Sequence, residues 1–200
     1  REMKSIQSLS GFTGGKATIR GPEGEPERIQ ALWVSDGFFE TLRAPLFLGH
    51  VFSPAAEKRG GPWEAVISNG LWTRRFGRDT GIVGKRLLLG GRPHTIVGVM
   101  APGAEFPNKD IAVWTPLRLN YDTLWTRNNH YMTVIGRLTP DGSAERANAE
   151  ANTLAARFVR DFPETYDPKK PLRAQVAQLA SVTVADATIY LPLADFIDVA

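Results

Sequence analysis

Cysteine is absent from the 200-residue chain, which excludes disulfides, thiolate nucleophiles and zinc–thiolate sites. A cysteine-free chain suits either cytoplasm or periplasm, so redox chemistry does not place it. Long hydrophobic runs are absent too. No window reaches the ~18 consecutive apolar residues of a membrane span, and the opening REMKSIQSLSG lacks the apolar h-region of a signal peptide. The sequence opens on Arg1, so the expectation is a piece of a larger protein. Histidine is scarce: His50, His94 and His130 lie far apart, outside H-x-x-x-H or H-E-x-x-H spacing, and imply no metal site. No G-x-S-x-G nucleophile elbow occurs. The run Gly11–Ala17 lacks the first glycine of a phosphate loop and has Ala17 where Ser or Thr would bind magnesium, so it reads as a hairpin turn.

What is present describes an ordinary globular chain, 42% hydrophobic and 22% charged, long enough to bury a core as one domain or two small ones. Net charge is +3 but uneven. Lys58, Arg59, Arg74, Arg75, Arg78, Lys85, Arg86 and Arg92 face only Glu64 and Asp79 between residues 58 and 92, a local excess of +6. Such a patch meets phosphate, acidic partners or anionic lipid, or is a solvated helix face beside a strand edge guarded by Lys and Arg. The second reading is favoured, and +6 over that length is modest for a nucleic-acid surface. Carboxylates are scattered. Glu23, Glu25 and Glu27 alternate in a Gly/Pro loop, and Asp36 and Glu40 fall four apart on a short helix where Asp36 suits the first-turn dipole. No pair defines a general acid and base.

The densest local punctuation lies between Ser68 and Met100. Ser68 is an N-cap, Trp72 and Phe76 share a helical face, Gly77 suits the left-handed C-terminal position, and Asp79 caps a short turn closing at Gly84. A strand Lys85–Leu89, a Gly90-Gly91 turn and a return strand Arg92–Met100 follow. Upstream, Ile6 to Phe12 is a weak element turned by Gly14-Gly15 into a short strand at Ala17–Arg20. Arg28–Val34 is a strand, Ser35 caps a helix Asp36–Arg43, and Ser53-Pro54 reads as a helix cap followed by an N1 proline, with a Gly60-Gly61-Pro62 loop before a buried strand Glu64–Ile67. Downstream come strands Ile111–Pro116 and His130–Leu138, joined by a polar connection at 120–129. A helix then runs from Ala144 to Asp161, capped by Ser143, with Ala147, Ala151, Leu154, Ala155 and Phe158 as its buried stripe, and a strand Leu172–Leu179 follows. Residues 180–200 read as an extra strand, a disordered end or a boundary variation. A strand–helix–strand at each end around an insertion predicts an α+β architecture with a discontinuous outer domain.

LWTRRFG (Leu71–Gly77), VGK (Val83–Lys85), GRPHTIVGVM (Gly91–Met100), APG (Ala101–Gly103) and VWTPL (Val113–Leu117) occur together with V-S-x-x-F-F-x-x-L (Val34–Leu42) and P-L-x-x-G-x-x-F (Pro45–Phe52). In that order they resemble the MacB-like periplasmic core domain of bacterial ABC-transporter permeases, macrolide-exporter permeases and their relatives among them. One departure is His50, where the family usually has Arg after the glycine. The resemblance implies a porter-like subdomain over 1–57 and 120–200 and an inserted, small α/β Sabre-like subdomain over 58–119. It also implies an extracytoplasmic module carried between membrane helices outside this sequence, on the periplasmic side of the cytoplasmic (inner) membrane. No catalytic, cofactor-binding or metal residue is expected, with ATP hydrolysed on a separate nucleotide-binding domain or subunit. The module would transmit ATP-driven motion and contact its own second copy, a periplasmic adaptor protein or a substrate. The alternative, a small α+β hydrolase-like enzyme, predicts a pocket with convergent polar groups and shifted pKa values, and nucleic-acid binding is not expected.

Overall fold

The computed structural model describes residues 3–20, 25–118, 132–164, 166, 172–178 and 188–191. It is α+β and falls into two compact units. One gathers the described residues of Arg1–Gly11, Asn120–Ser181 and Ala185–Ala200, the other those of Phe12–Leu119. Residues 12–57, which the sequence reading grouped with the outer frame, therefore pack with 58–119. Strand pairing is the physical reason.

The larger unit takes strands β1 (Ile6–Arg20, from Phe12 onward), β2 (Glu27–Val34), β3 (Leu46–Gly49), β4 (Glu64–Ile67), β5 (Arg86–Leu89), β6 (Arg92–Met100) and β7 (Ile111–Pro116). Their order is β2-β7-β4-β6-β5-β1, and β1 also pairs with β2, so the sheet returns to its start and closes. The β1–β2 join is long, from Phe12↔Val34 to Ile19↔Glu27, whereas β5 meets β1 only at Ile19↔Leu89 and Arg20↔Leu88. Parallel pairs, β2 with β7 and β4 with β6, alternate with antiparallel ones. Closure buries one apolar face against itself, as in small barrels. Ile19, Ile29, Ala65, Ile67, Leu87, Ile96 and Val113 form that core, joined by Leu71 and Trp72 from helix α2 (Asn69–Phe76). A second apolar layer is aromatic. Phe12 stacks edge-on against Phe38 and Phe106, Phe38 against Phe39, and Phe39 against Phe52, with centroids 5.4–5.8 Å apart.

Three local readings change. Gly14 and Gly15 do not turn the chain: β1 runs unbroken through them, paired to Leu32 and Ala31. A Cβ on Gly14 would stand 2.7 Å from the Leu32 side chain, so the glycine makes room for its cross-strand partner. Helix α1 is only Phe38–Leu42, capped by Gly37 at φ 70°, with Ser35 and Asp36 lying before it; Phe38, Phe39 and Leu42 are buried as expected. Ser53-Pro54 opens a turn instead of a helix, with the Ser53 hydroxyl accepting from Ala56 N at 3.2 Å.

In the smaller unit, β8 (Thr133–Leu138), helix α3 (Ala144–Asp161), β9 (Ala177–Gln178) and β10 (Thr188–Leu191) follow one another. β10 lies between β8 and β9, antiparallel to both. Helix α3 begins at Ser143, whose hydroxyl accepts from Arg146 N at 3.2 Å, and packs Ala147 and Ala151 with Met3, Ile6 and Ala174; Ala155 on the same stripe is also buried. Phe158, assigned to the buried stripe, is 39% exposed and meets Phe162 instead. The expected strand from Leu172 is regular only at Ala177–Gln178; the connection at 120–129, His130, Glu23 and most of 180–200 lie outside the described residues. No helix among the described residues is long and apolar enough to cross a membrane.

Candidate functional site

The stretch from Ser68 to Met100 folds as its punctuation dictates. The Ser68 hydroxyl accepts from Leu71 N at 3.0 Å, satisfying one orphan amide at the start of α2. Gly77 closes the helix at φ 56°, and the Asp79 carboxylate accepts from Gly81 N at 2.8 Å at the next turn. Gly90 and Gly91, with φ 58° and 78°, take the two left-handed positions of a type I′ hairpin. Trp72 is 1% exposed and donates its indole N–H to Asp79 O at 2.9 Å, so it belongs to the core and not to a stacking platform.

Most of the basic charge is engaged. Arg74 grips Glu27 at 2.5 Å and Arg75 grips it at 3.1 Å while also donating to Glu25 O; together they hold the Glu27 carboxyl below its usual range despite its partial burial. Glu27, read from sequence as lying in a loop, thus has fixed geometry at the start of β2. Lys85 pairs with Asp79. Arg78 lies over the Trp72 ring at 4.8 Å, and Arg92 and Arg118 lie over Trp63 at 4.3 and 3.7 Å. Trp63 also meets His94 edge-on. His94 is buried, its Nδ1 is 3.0 Å from Arg92 O, and desolvation holds its pKa below the ordinary 6.5. His50 is exposed, with Nδ1 2.7 Å from Val51 O. Neither is arranged as a metal ligand, and no group of three His, Asp or Glu suited to a metal occurs among the described residues.

Two features escaped the sequence reading. The first is acidic. Asp36 and Glu40 are joined by Glu57 from the loop after Ser53, and burial with those two like charges raises the Glu57 carboxyl to about 7. Glu64, also acting on it, is 7% exposed and accepts from the amide and hydroxyl of Ser53, each at 2.8 Å. A carboxyl protonated near neutrality suits acid catalysis, but all the charges that raise Glu57 belong to other carboxylates, which makes this a shared-proton cluster. The second is apolar. β3 attaches to β6 through Leu46↔Met100 and Leu48↔Val99, so Phe47 is the extra residue of a bulge. The bulge turns Phe47 outward: it is 49% exposed with its ring 5.4 Å from Trp72. Only its strand neighbours hinted at this, since a bulged residue breaks the alternation that marks a strand.

The closed sheet carrying a helix–turn–hairpin has counterparts. The family profile described as the MacB-like periplasmic core domain matches residues 1–154. This chain belongs to that family. Comparison with curated proteins gives no match. Among solved structures, the MacB-like fold is shared with the extracellular domain of the noncanonic ABC-type transporter YknZ from Gram-positive bacteria, at TM-score 0.58 and 18% identity, over 82% of this chain and 80% of that one. The periplasmic region of MacB from Actinobacillus actinomycetemcomitans aligns at TM-score 0.59 and 12% identity, over 78% and 69%. A domain of a putative permease protein from Porphyromonas gingivalis aligns at 0.58 and 18%, over 81% and 69%. The α+β architecture is thus that of the MacB-like domains of ABC-transporter permeases, and family membership implies extracytoplasmic placement within a membrane permease.

Proposed function

We propose that this MacB-like domain is a non-catalytic extracytoplasmic module that transmits ATP-driven motion within an ABC permease and docks an adaptor, a substrate or a second copy of itself. The observation that carries the docking role is the outward-bulged Phe47 packed on buried Trp72, with Arg78 over the same indole: an exposed aromatic close to a cation is the composition of a binding hot spot. ATP hydrolysis then belongs to a separate nucleotide-binding domain or subunit. The smaller unit corresponds to the porter-like frame, and the helix–hairpin region of the larger one to the Sabre-like insertion. The fixed ion pairs around α2 suit a part that moves as a rigid body.

The test uses the full permease with its ATPase in proteoliposomes. Phe47→Ser removes the half-exposed ring and leaves Trp72, against which it packs, less covered, so an unchanged melting temperature is required of the variant. Substrate movement is expected to fall by about tenfold, the loss of roughly 1.4 kcal/mol at a contact, while basal ATP hydrolysis persists. Transport equal to that of the unsubstituted permease overturns the docking role.

A further inference from the structure

The larger unit also carries a cationic cavity that the docking face does not use. It measures about 320 Å³ and is lined by Lys16, Arg28, Ile29, Gln30, Arg74, Asp110 and Ala112, at the small end of the range for ligand pockets. Its position has a structural cause. β2 and β7 run parallel with Gln30 opposite Ile111 but Ala31 opposite Val113, so Ala112 is an extra residue and the ladder opens there. On its other side the Ala112 carbonyl accepts from Ser68 N at 2.9 Å, continuing the β4–β7 ladder.

The side chains around that opening are unevenly charged. Lys16 and Arg28 stand on the exposed face of the β1–β2 pair, Lys16 directly opposite Gln30. Neither has an ion-pair partner among the described residues, in contrast to Arg74, which shares Glu27 with Arg75. Two unpaired cations, the triad Arg74–Glu27–Arg75 at +1 and one carboxylate, Asp110, leave a net charge of +2. Ile29 and Ala112, whose side chains belong to the core beneath, border the cavity.

We infer that this cavity binds a hydroxylated phosphate ester, the glycerophosphate or sugar-phosphate chemistry common to small metabolites and lipid headgroups. A phosphate ester carries one to two negative charges and oxygens that match guanidinium donors, which fits the excess of +2. The Lys16 ammonium and the Arg28 guanidinium line the cavity with Arg74, two of whose nitrogens already donate to Glu27. The Asp110 carboxylate in the same lining accepts from hydroxyl groups, and the Gln30 amide both donates and accepts. A simple carboxylate would use the cations and leave Asp110 facing an apolar tail. This site is independent of the Phe47 face and does not rest on the docking role.

The experiment is an NMR titration of the 200-residue chain at low ionic strength with inorganic phosphate, glycerol 3-phosphate, acetate, and micelles of short-chain phosphatidylglycerol or phosphatidylcholine. Saturable shifts at the amides of Arg28–Gln30 and Asp110–Ala112 are expected with glycerol 3-phosphate, stronger than with acetate. Affinity should fall about tenfold in Lys16→Gln or Arg28→Gln, each removing one charge-assisted contact. Retention of the unshifted spectrum elsewhere shows that the variants fold. Saturation by phosphatidylglycerol at lower concentration than by glycerol 3-phosphate assigns the lipid headgroup, and the reverse assigns the free ester; both support the site. Absence of saturable shifts, equal binding of acetate, or unchanged affinity in the Lys16→Gln/Arg28→Gln double variant overturns it.

Discussion

Two titrating side chains give this domain opposed responses to acid. Glu57 has its pKa raised from 4.5 to about 7, so between those values the folded state holds more proton than the unfolded chain and stability falls as pH rises. Above about pH 7 the unfavourable contribution is complete; below 4.5 it is absent. His94 has its pKa lowered below 6.5 by burial, so the unfolded chain takes the proton first and stability is lost as pH falls from 6.5 towards the folded value. The slopes oppose each other, which flattens the profile between pH 5 and 7. Glu57→Gln removes one of them. It should raise Tm at pH 8 by about 2–4 °C, a shift of roughly 1 kcal/mol in a chain of this size once solvent screening is allowed for, and expose a decline on acidification from pH 7 to 5. Thermal melts across pH 5–8 check this, and parallel wild-type and variant curves would contradict it. The other perturbed carboxyls, Glu27, Asp79, Glu145, Glu150 and Asp161, are shifted downward, so their loss adds to acid sensitivity only at lower pH.

At the scale of elements, what was legible in the sequence was what residues write locally. Ser68, Gly77, Asp79 and Gly90-Gly91 each act through their own backbone, and each lies where its chemistry puts it. Ser143 and the alanines of α3 were legible for the same reason. Gly14-Gly15 misled, because the glycines serve a neighbour, Leu32, that sequence order places elsewhere. β3 went unseen because four residues with a bulge offer no period to read. Glu57 joined Asp36 and Glu40 only through folding, and nothing in spacing brings 57 to 36. Sheet closure was equally hidden, and it has a testable weak point. The β5–β1 join rests on two residue pairs, extended by Gly90 N donating to Thr18 O at 2.8 Å. The β4–β7 side includes Ser68 N donating to Ala112 O at 2.9 Å, with Ser68 itself buried. Hydrogen exchange should therefore be at least about tenfold faster at the Gly90 amide than at Ser68, the mark of local opening at a short join. Equal protection would show that the closed sheet opens only as a whole.

For the whole molecule, family membership places the domain outside the cytoplasm, and because these 200 residues hold no cysteine, a thiol introduced here can be read against the unsubstituted permease as background. Phe47→Cys in the full permease puts a thiol on an exposed, bulged edge position. A membrane-impermeant maleimide added to intact cells, after permeabilising an outer membrane where there is one, should label it to near completion. Labelling seen only after the cytoplasmic membrane is broken would place the domain on the wrong side. The same position reports docking, since an occupant over Phe47 slows the reaction.

The position of β7 between β2 and β4 has a consequence for biogenesis. β7 is the last strand of the closed sheet in sequence, yet it stands between two that come earlier. Val34 ends β2 and Ile111 begins β7, so about 80 residues must follow before β2 can meet its parallel partner. At roughly 5–20 residues per second that is a wait of about 4–16 s. During it β2 is held only by the β1 hairpin, and β4, whose four residues are all buried in the finished fold, has one neighbour missing. A chain emerging across a membrane thus carries two open strand edges until Pro116 has cleared the exit. The place of β7 in the sheet is filled last, and the period before that is when the chain most needs shelter from its neighbours.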